Sequence, residues 1–598
     1  VTMLRKSFRG LLLSRDVSHL SRSLSLVADD SYNRWRVVPP AVLTHLSIGS
    51  VYSWSLFNQP LSQCIGVLSP SSGDWDMSSV VPIFSTAICA AGLTAALAGP
   101  VTERYGPRAS VFAAGLCWGG GLALSALGVE MHSLPLVYLG YGVLGGIGAG
   151  LAYAPPVATL MRWFPDRKGL ASGMAIGGFG AGAMVAAPVI KYVMEMNFTA
   201  PTFLGPEAET VYRNGRLEDV SSGLEVVTAT CKEISSLGLP FSLEEGAYLA
   251  GTGNNGAAAA MLSLGVAYTG LMCLASLGYR VPRDGWVPEG YTPPDNTTSS
   301  SGSAPVSSSS LILPSNTYVS LESATRTPQF AQIWTALFLN TTAGIAVLGV
   351  AKTLMSDVFG STMPTLVDAS FCGAYVAALS AANGLGRLGW ATISDKIGRK
   401  STYTLYFALG IPLYLSVPYA AHMAGVGAGM VPLTLFTAST VTIISMYGGG
   451  FSVAPAYLSD LFGSKEVGPI YGRLLTAWSA AGLVGPTLLS QLRKMSEEDT
   501  IKVLASNVDP DVFRSKFSLP VEHLQELIDS KAVTIAKLLP LAPEGTIDPT
   551  PFLYDSTMAT MSGMLALGLI SNMSVSPVDP KLHITLPINP TTPPVMRS

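Results

Sequence analysis

One arginine, Arg387, lies inside the 25-residue apolar stretch 369–393 of a 598-residue chain. A guanidinium stays ionised, and in hydrocarbon it is costly enough that it normally faces a water-filled cavity and an anionic partner. A carboxylate suits its planar fork of donors. The competing account is structural. Arg387 is six residues from Ile393, about 9 Å along a helix, which is within snorkelling reach of a membrane surface. His45 is the other ionisable group well inside an apolar run. An imidazole there can carry a coupling proton or sit neutral between helices. No acid lies as deep, and the sequence shows no metal-ligand cluster, phosphate-binding loop or nucleophile–base constellation. It therefore implies no enzyme, metal or cofactor.

The elements that must position these groups are membrane spans. Hydrophobic residues make up 48% of the chain and charged residues only 12%, about half the charge of ordinary soluble domains. The 61 glycines lie mostly in apolar runs, where small residues let membrane helices approach closely. Twelve runs are long enough to cross a bilayer as helices: 37–57, 79–99, 109–129, 134–157, 169–193, 256–279, 330–354, 369–393, 402–420, 430–455, 469–489 and 552–573. The layout repeats: each set of six has short connections up to its fifth span, then a long insertion before its sixth. This predicts an all-α membrane protein of twelve transmembrane helices in two pseudo-symmetric six-helix bundles, a recurrent transporter plan.

The expected divisions are a basic N-terminal tail (1–36), a first bundle (37–280) with an insertion at 194–255, and a Pro/Ser-rich linker (281–329). A second bundle (330–574) with an insertion at 490–551 and a Pro-rich tail (575–598) follow. Arg104/Arg108, Arg162/Arg167/Lys168 and Lys396/Arg399/Lys400 follow spans two, four and eight, whereas the loop after span one carries only Asp74 and Asp76. The positive-inside rule then places tails and linker on the cytosolic or matrix side and both insertions opposite. Cys64 and Cys231 fall in loops on that opposite face, where they could pair. Residues 521–540 read as an amphipathic helix capping the outer vestibule, and Asn197-Phe198-Thr199 matches a glycosylation acceptor pressed against a helix end. The tail's Arg5, Lys6, Arg9, Arg15 and Arg22 among serines suit either a mitochondrial targeting segment or an orienting cytosolic tail. The membrane is then the plasma membrane or the mitochondrial inner membrane. The net charge of −3 gives no reason to invoke nucleic acid.

Two turns share one pattern: GPVTERYGPR (99–108) and ATISDKIGRK (391–400). Each has an acid–base pair followed by glycine and a further base, and their duplication resembles the signature turn of the major facilitator superfamily. Ala391 replaces the leading glycine in the second. NRWRVV (33–38), YSWSLF (52–57), RWFPDRKGLASG (162–173), RTPQF (326–330), NGLGRLGWATISDKIGR (383–399) and SDLFG (459–463) resemble the oxalate/formate antiporter family, a relative of the monocarboxylate transporters. The resemblance covers roughly 33–194 and 326–490.

It implies that Arg387 binds a substrate carboxylate, with Asn383 orienting it. Tyr52, Trp54, Tyr153, Tyr447, Phe451 and Trp478 would line the cavity. The oxalate transporter's second cation, a lysine on the eleventh helix, corresponds to Trp478 when Tyr471-Gly472 is aligned. One cation suits a monocarboxylate, because a second buried carboxylate would be left unpaired. The expectation is a carrier of formate, lactate or pyruvate working by alternating access, by exchange or with a proton through His45. Glu103, Arg104, Asp395 and Lys396 would latch the cytosolic ends together. Two other readings stay open: a carrier for a non-carboxylate solute, and a non-transporting subunit or receptor whose insertions and tails dock protein partners.

Overall fold

In the computed structural model, the described residues are 27–29, 32–206, 210–213, 216–229, 234, 243–283, 286–288, 311–313, 317–360, 362–425, 427, 429–517, 520–529, 533, 535–543 and 545–585. The tail arginines, Lys6, Cys231, most of the linker and the end of the C-terminal tail lie outside them. Long helices dominate: α1 (Val38–Gly49), α2 (Pro82–Gly99), α3 (Arg104–Glu130), α4 (Leu134–Trp163), α5 (Lys168–Met196), α6 (Ala257–Gly278), α7 (Pro328–Phe359), α8 (Ala369–Ile397), α9 (Arg399–Gly425), α10 (Val431–Phe462), α11 (Thr476–Asn507) and α12 (Asp555–Met573).

Eight segments among the described residues are long and apolar enough to cross a membrane by length and composition: α2 to α6, the Pro328–Leu348 part of α7, α9 and α10. The sequence expectation of twelve is met only in part by that criterion, for local reasons. The first predicted span is broken into α1, a 3-10 turn at Ser50–Ser53 and a short helix Ser55–Leu61 containing Pro60. The eighth carries Ser380, Asn383, Arg387 and Ser394 within its helix. Helices that face a polar interior need not look like lipid-exposed ones.

Pairing between the two halves of the chain sets the seam: α5 packs on α8 and α10, and α2 on α11. Close approach matters most at Gly180 of α5. A Cβ there would stand 2.6 Å from Gly384 Cα and 3.2 Å from Arg387 Cδ. Glycine at this crossing brings the α5 backbone against the helix that carries the arginine.

At the far end of α5 the first insertion forms strands β1 (Phe203–Gly205), β2 (Thr210–Arg213), β3 (Arg216–Asp219), β4 (Val226–Ala229) and β5 (Gly246–Leu249). They make an antiparallel sheet ordered β1-β5-β4 and a β2–β3 hairpin. This unit has its own small core of Val67, Leu68, Val227, Ala229, Ile234 and Tyr248. It therefore grips the loop that follows the first span: Gly251 N–H donates to the Ile65 carbonyl at 2.9 Å, and Asn255 Nδ2 to Pro60 and Gln63 carbonyls at 2.7 and 3.1 Å. Asp74 ties the loop further, accepting from the amides of Ile65, Gly66 and Ser71 at 2.8–3.0 Å. Cys64 is a free thiol here, and burial, with Asp74 next, pushes its pKa up to about 12. Asn197 Nδ2 donates to the Val193 carbonyl at 2.8 Å, so the sequon's amide is engaged at the helix end.

The predicted continuous helix over 521–540 is not what forms. Short turns replace it at Val521–His523, Leu524–Asp529, Ile535–Leu538 and Leu539–Leu541. At the opposite end, linker strand β6 (Thr317–Tyr318) pairs with β7 (Ile584–Thr585) of the C-terminal tail. Leu313 N–H donates to the Asp460 carbonyl at 2.7 Å and Val319 N–H to that of Phe462 at 2.9 Å. Linker and tail are thereby fastened to the end of α10.

Candidate functional site

Asn383 and Arg387 stand one turn apart on α8, and Arg387 Nε donates to Asn383 Oδ1 at 3.2 Å. Spacing of i, i+4 puts both on one face. Arg387 is fully buried. Its guanidinium carbon lies 5.1 Å from the ring centre of Phe179 on α5 and 5.3 Å from that of Phe451 on α10, within the range in which ring quadrupoles attract a cation. The phenols of Tyr153, Tyr52 and Tyr447 are its electrostatic neighbours, but neither Nη1 nor Nη2 completes a hydrogen bond to any described residue.

The rings form a continuous cage. Phe179 stands 5.3 Å from Tyr52, 5.1 Å from Tyr153 and 5.7 Å from Trp478. Trp478 stands 5.5 Å from Tyr153 and 6.0 Å from Phe451. Tyr447 lies 5.5 Å from Phe451, and its hydroxyl shares a 2.8 Å hydrogen bond with that of Tyr52. That bond joins the chain's first half to its second, and both phenols are electrostatic neighbours of Arg387. His45 of α1 borders the cage, edge-on to Tyr153 at 5.4 Å. Its Nδ1 sits 3.3 Å from the Ala41 carbonyl, and Nε2 has no partner among the described residues.

Trp54 is placed elsewhere. Its ring packs on Tyr141 at 4.2 Å and Phe57 at 5.8 Å, two residues round the turn from Tyr52 and on a different face. Sequence reasoning missed Phe179, which neighbours the guanidinium, three of the surrounding aromatic rings and, at 6.5 Å, the His45 imidazole. The only available signal was a lone aromatic in the glycine-rich run GGFGAG.

Of the turn charges, Asp395 reaches across the seam and accepts the Gly169 and Leu170 amides at the start of α5, both at 3.0 Å. Arg399 bonds it at 2.6 Å and also reaches Asp460 at 3.3 Å. Lys168 approaches Asp460 from the other side of the seam at 3.7 Å. Arg104 lies over the Tyr105 ring at 5.8 Å. Lys396 is exposed, and the side chain of Glu103 lies outside those described. No group of three or more potential metal ligands occurs among the described residues.

Residues 40–204 match the Major Facilitator Superfamily model. This is a multi-pass integral membrane protein with major facilitator homologues. It is 25% identical over 549 residues to apicoplast pyruvate carrier 1 of Toxoplasma gondii, covering 84% of this chain and 92% of that one. The oxalate:formate antiporter of Oxalobacter formigenes is 24% identical over 76% of this chain and 83% of its own length. Human (Homo sapiens) monocarboxylate transporter 12 is 34% identical over a shorter stretch, 20% of this chain and 23% of that one. These relatives are transporters, not enzymes.

Proposed function

We propose that this protein carries a small monocarboxylate, such as pyruvate, lactate or formate, across a membrane by alternating access. The carrying observation is Arg387: a permanently charged, fully buried guanidinium whose two terminal nitrogens lie near phenols but complete no hydrogen bond among the described residues, enclosed by aromatic rings contributed from both halves of the chain. Each unsatisfied buried donor costs about 1–3 kcal/mol, and a carboxylate relieves two at once through a bidentate pair. Trp478 supplies no second charge, which disfavours a dianion such as oxalate. The named substrates of the pyruvate and oxalate:formate relatives agree with an anion of this size.

In this reading the helices form twelve spans in two six-helix bundles, and the two halves rock about the cage. The Tyr52–Tyr447 bond closes one side of the anion. Asp395, with Lys168, Arg399 and Asp460, latches the face bearing the duplicated turns, which is the cytosolic or matrix face. Binding of an anion neutralises Arg387 and lowers the cost of closing both gates around a dry cavity. His45 is the candidate for a coupled proton, since it borders the cage and holds a free ring nitrogen. An organellar inner membrane fits the basic, serine-rich N-terminal sequence and the pyruvate-carrying relative, with the plasma membrane as the alternative.

The test is uptake of labelled pyruvate, lactate, formate and oxalate into liposomes containing purified wild type or Arg387→Gln. Saturable monocarboxylate uptake should fall by at least about 100-fold in the variant, the loss of two charge-assisted bonds. Absence of saturable carboxylate flux from the wild type, with and without a pH gradient or counter-substrate, would sink the proposal.

A further inference from the structure

Trp478 has the same enclosure as the arginine. It is about 1% exposed and packs tilted on Tyr153 and edge-on to Phe179 and Phe451, the two rings beside the guanidinium. Its indole Nε1–H has no hydrogen-bond partner among the described residues. That N–H lies near the Tyr52 hydroxyl, itself an electrostatic neighbour of Arg387, without completing a hydrogen bond to it. The cage thus presents two kinds of unspent donor, a charged fork and a neutral N–H. An indole only donates and carries no charge, so it suits an uncharged oxygen rather than a second carboxylate.

We infer that Trp478 is a specificity-determining residue whose Nε1–H binds the oxygen on carbon 2 of a 2-oxo or 2-hydroxy monocarboxylate while Arg387 holds the carboxylate. This rests on the carboxylate-carrier reading above and narrows it. Acids of the same length without that oxygen leave the indole donor buried and unpaired, which a site built to hydrogen-bond its substrate penalises. Formate, having no carbon 2, becomes a poor ligand.

The experiment compares pyruvate, lactate and propionate, three-carbon acids differing at carbon 2. Apparent affinities are read from ligand-dependent thermal stabilisation of the detergent-purified full chain and from competition with labelled pyruvate uptake in liposomes. Wild type should favour pyruvate and lactate over propionate by at least about 10-fold, the effect of one lost hydrogen bond to a buried donor. Trp478→Phe, which keeps an aromatic ring and removes the N–H, should narrow that ratio to about 2-fold or less. Equal affinity of the wild type for propionate and pyruvate overturns the inference without any variant. So does an unchanged ratio in a folded Trp478→Phe. If formate alone stabilises or is transported, the inference is overturned while the carboxylate reading stands; if neither formate nor any of the three acids does so, the carboxylate reading itself has failed.

Discussion

The two copies of the charged turn do one job alike and another differently. In both, the glycine has a positive φ, Gly106 at 81° and Gly398 at 87°, which bends the chain at little steric cost: within the helical run Pro82–Glu130 in the first copy and between α8 and α9 in the second. In both, the base two residues later secures the last helix of its own half. Arg108 donates to the Ser276, Leu277 and Tyr279 carbonyls at 3.3, 2.7 and 3.3 Å, and Lys400 to those of Met573 and Val575 at 2.8 and 2.7 Å. Across the seam they diverge. The second copy meets α5 through the Asp395 carboxylate on two free helix-start amides, favoured also by the helix dipole. The first copy approaches its counterpart closely: a Cβ on Gly99 would stand 3.0 Å from Pro469 Cα, and proline has no amide to offer. The second copy holds this face by charge, and at Gly99 the first copy adds a close backbone fit. Opening the face therefore carries an electrostatic cost at the Asp395 seam.

The strongest way to break that asymmetry is to wedge the charged seam. A Cβ at Gly169 would fall 2.6 Å from Asp395 Oδ1 and closer still to the Ala391 carbonyl. Gly169→Ala should thus disfavour the closed face by about 1–3 kcal/mol, as overpacking does. The readout is alkylation of a cysteine at Ser172, a buried residue whose hydroxyl bonds the Ser452 carbonyl across the seam, in a background with the native cysteines replaced. Labelling should rise sharply and uptake fall; labelling no faster than in the reporter alone would show that this seam is not the gate. Asp395→Asn is gentler. It keeps an acceptor but drops the charge facing Arg399 and the helix start, so a loss of about 1–2 kcal/mol is expected, or about 5- to 30-fold in the closed-to-open ratio. Raised salt should mimic it weakly in the wild type, since these side chains are partly exposed and screenable. Gly99→Ala at the other seam asks its neighbour to give by only a few tenths of an ångström. It should cost under about 1 kcal/mol and leave the salt response of labelling as it is in the wild type.

Much of this arrangement could be read in the sequence, for physical reasons. A cation in an apolar run has few tolerable environments, so Arg387 stood out by itself, whereas Asn383 was legible only through the stretch that resembles the antiporter family. The duplicated turns were legible because glycine at a positive-φ position leaves a mark. The aromatics were legible by type but not by face. Tyr52 and Trp54 are two residues apart in a helical segment, which turns them some 200° from each other, and only Tyr52 reaches the guanidinium. Phe179 carries no periodic or polar signal and becomes visible only when α5 crosses α8 at Gly180 and Gly384. Lys168 and Asp460 were present in the recognised stretches, yet their partnership spans the seam and is set by packing, not spacing.

The smallest expected effects test the job the two turns share. Arg108→Ala and Lys400→Ala each remove a base that satisfies orphan carbonyls at a helix end. Each should therefore lower resistance to thermal inactivation by about 1–2 kcal/mol, within the range of charge-assisted bonds discounted for partial exposure. Arg108 serves the end of α6 in the first half and Lys400 the end of α12 and the segment after it in the second, with no shared acceptor. Energies at separate sites without common partners add, so the double variant should lose the sum. A paired Lys168→Ala and Asp395→Asn should behave oppositely, because Arg399 and Asp460 link both residues into one network. There the second substitution should cost less than it does alone. Additivity at both places would mean that the seam is a set of independent contacts. Coupling at both would mean that the turns transmit strain between the halves. The structure predicts one of each, because the bases anchor helices within a half while the acid anchors the halves to each other.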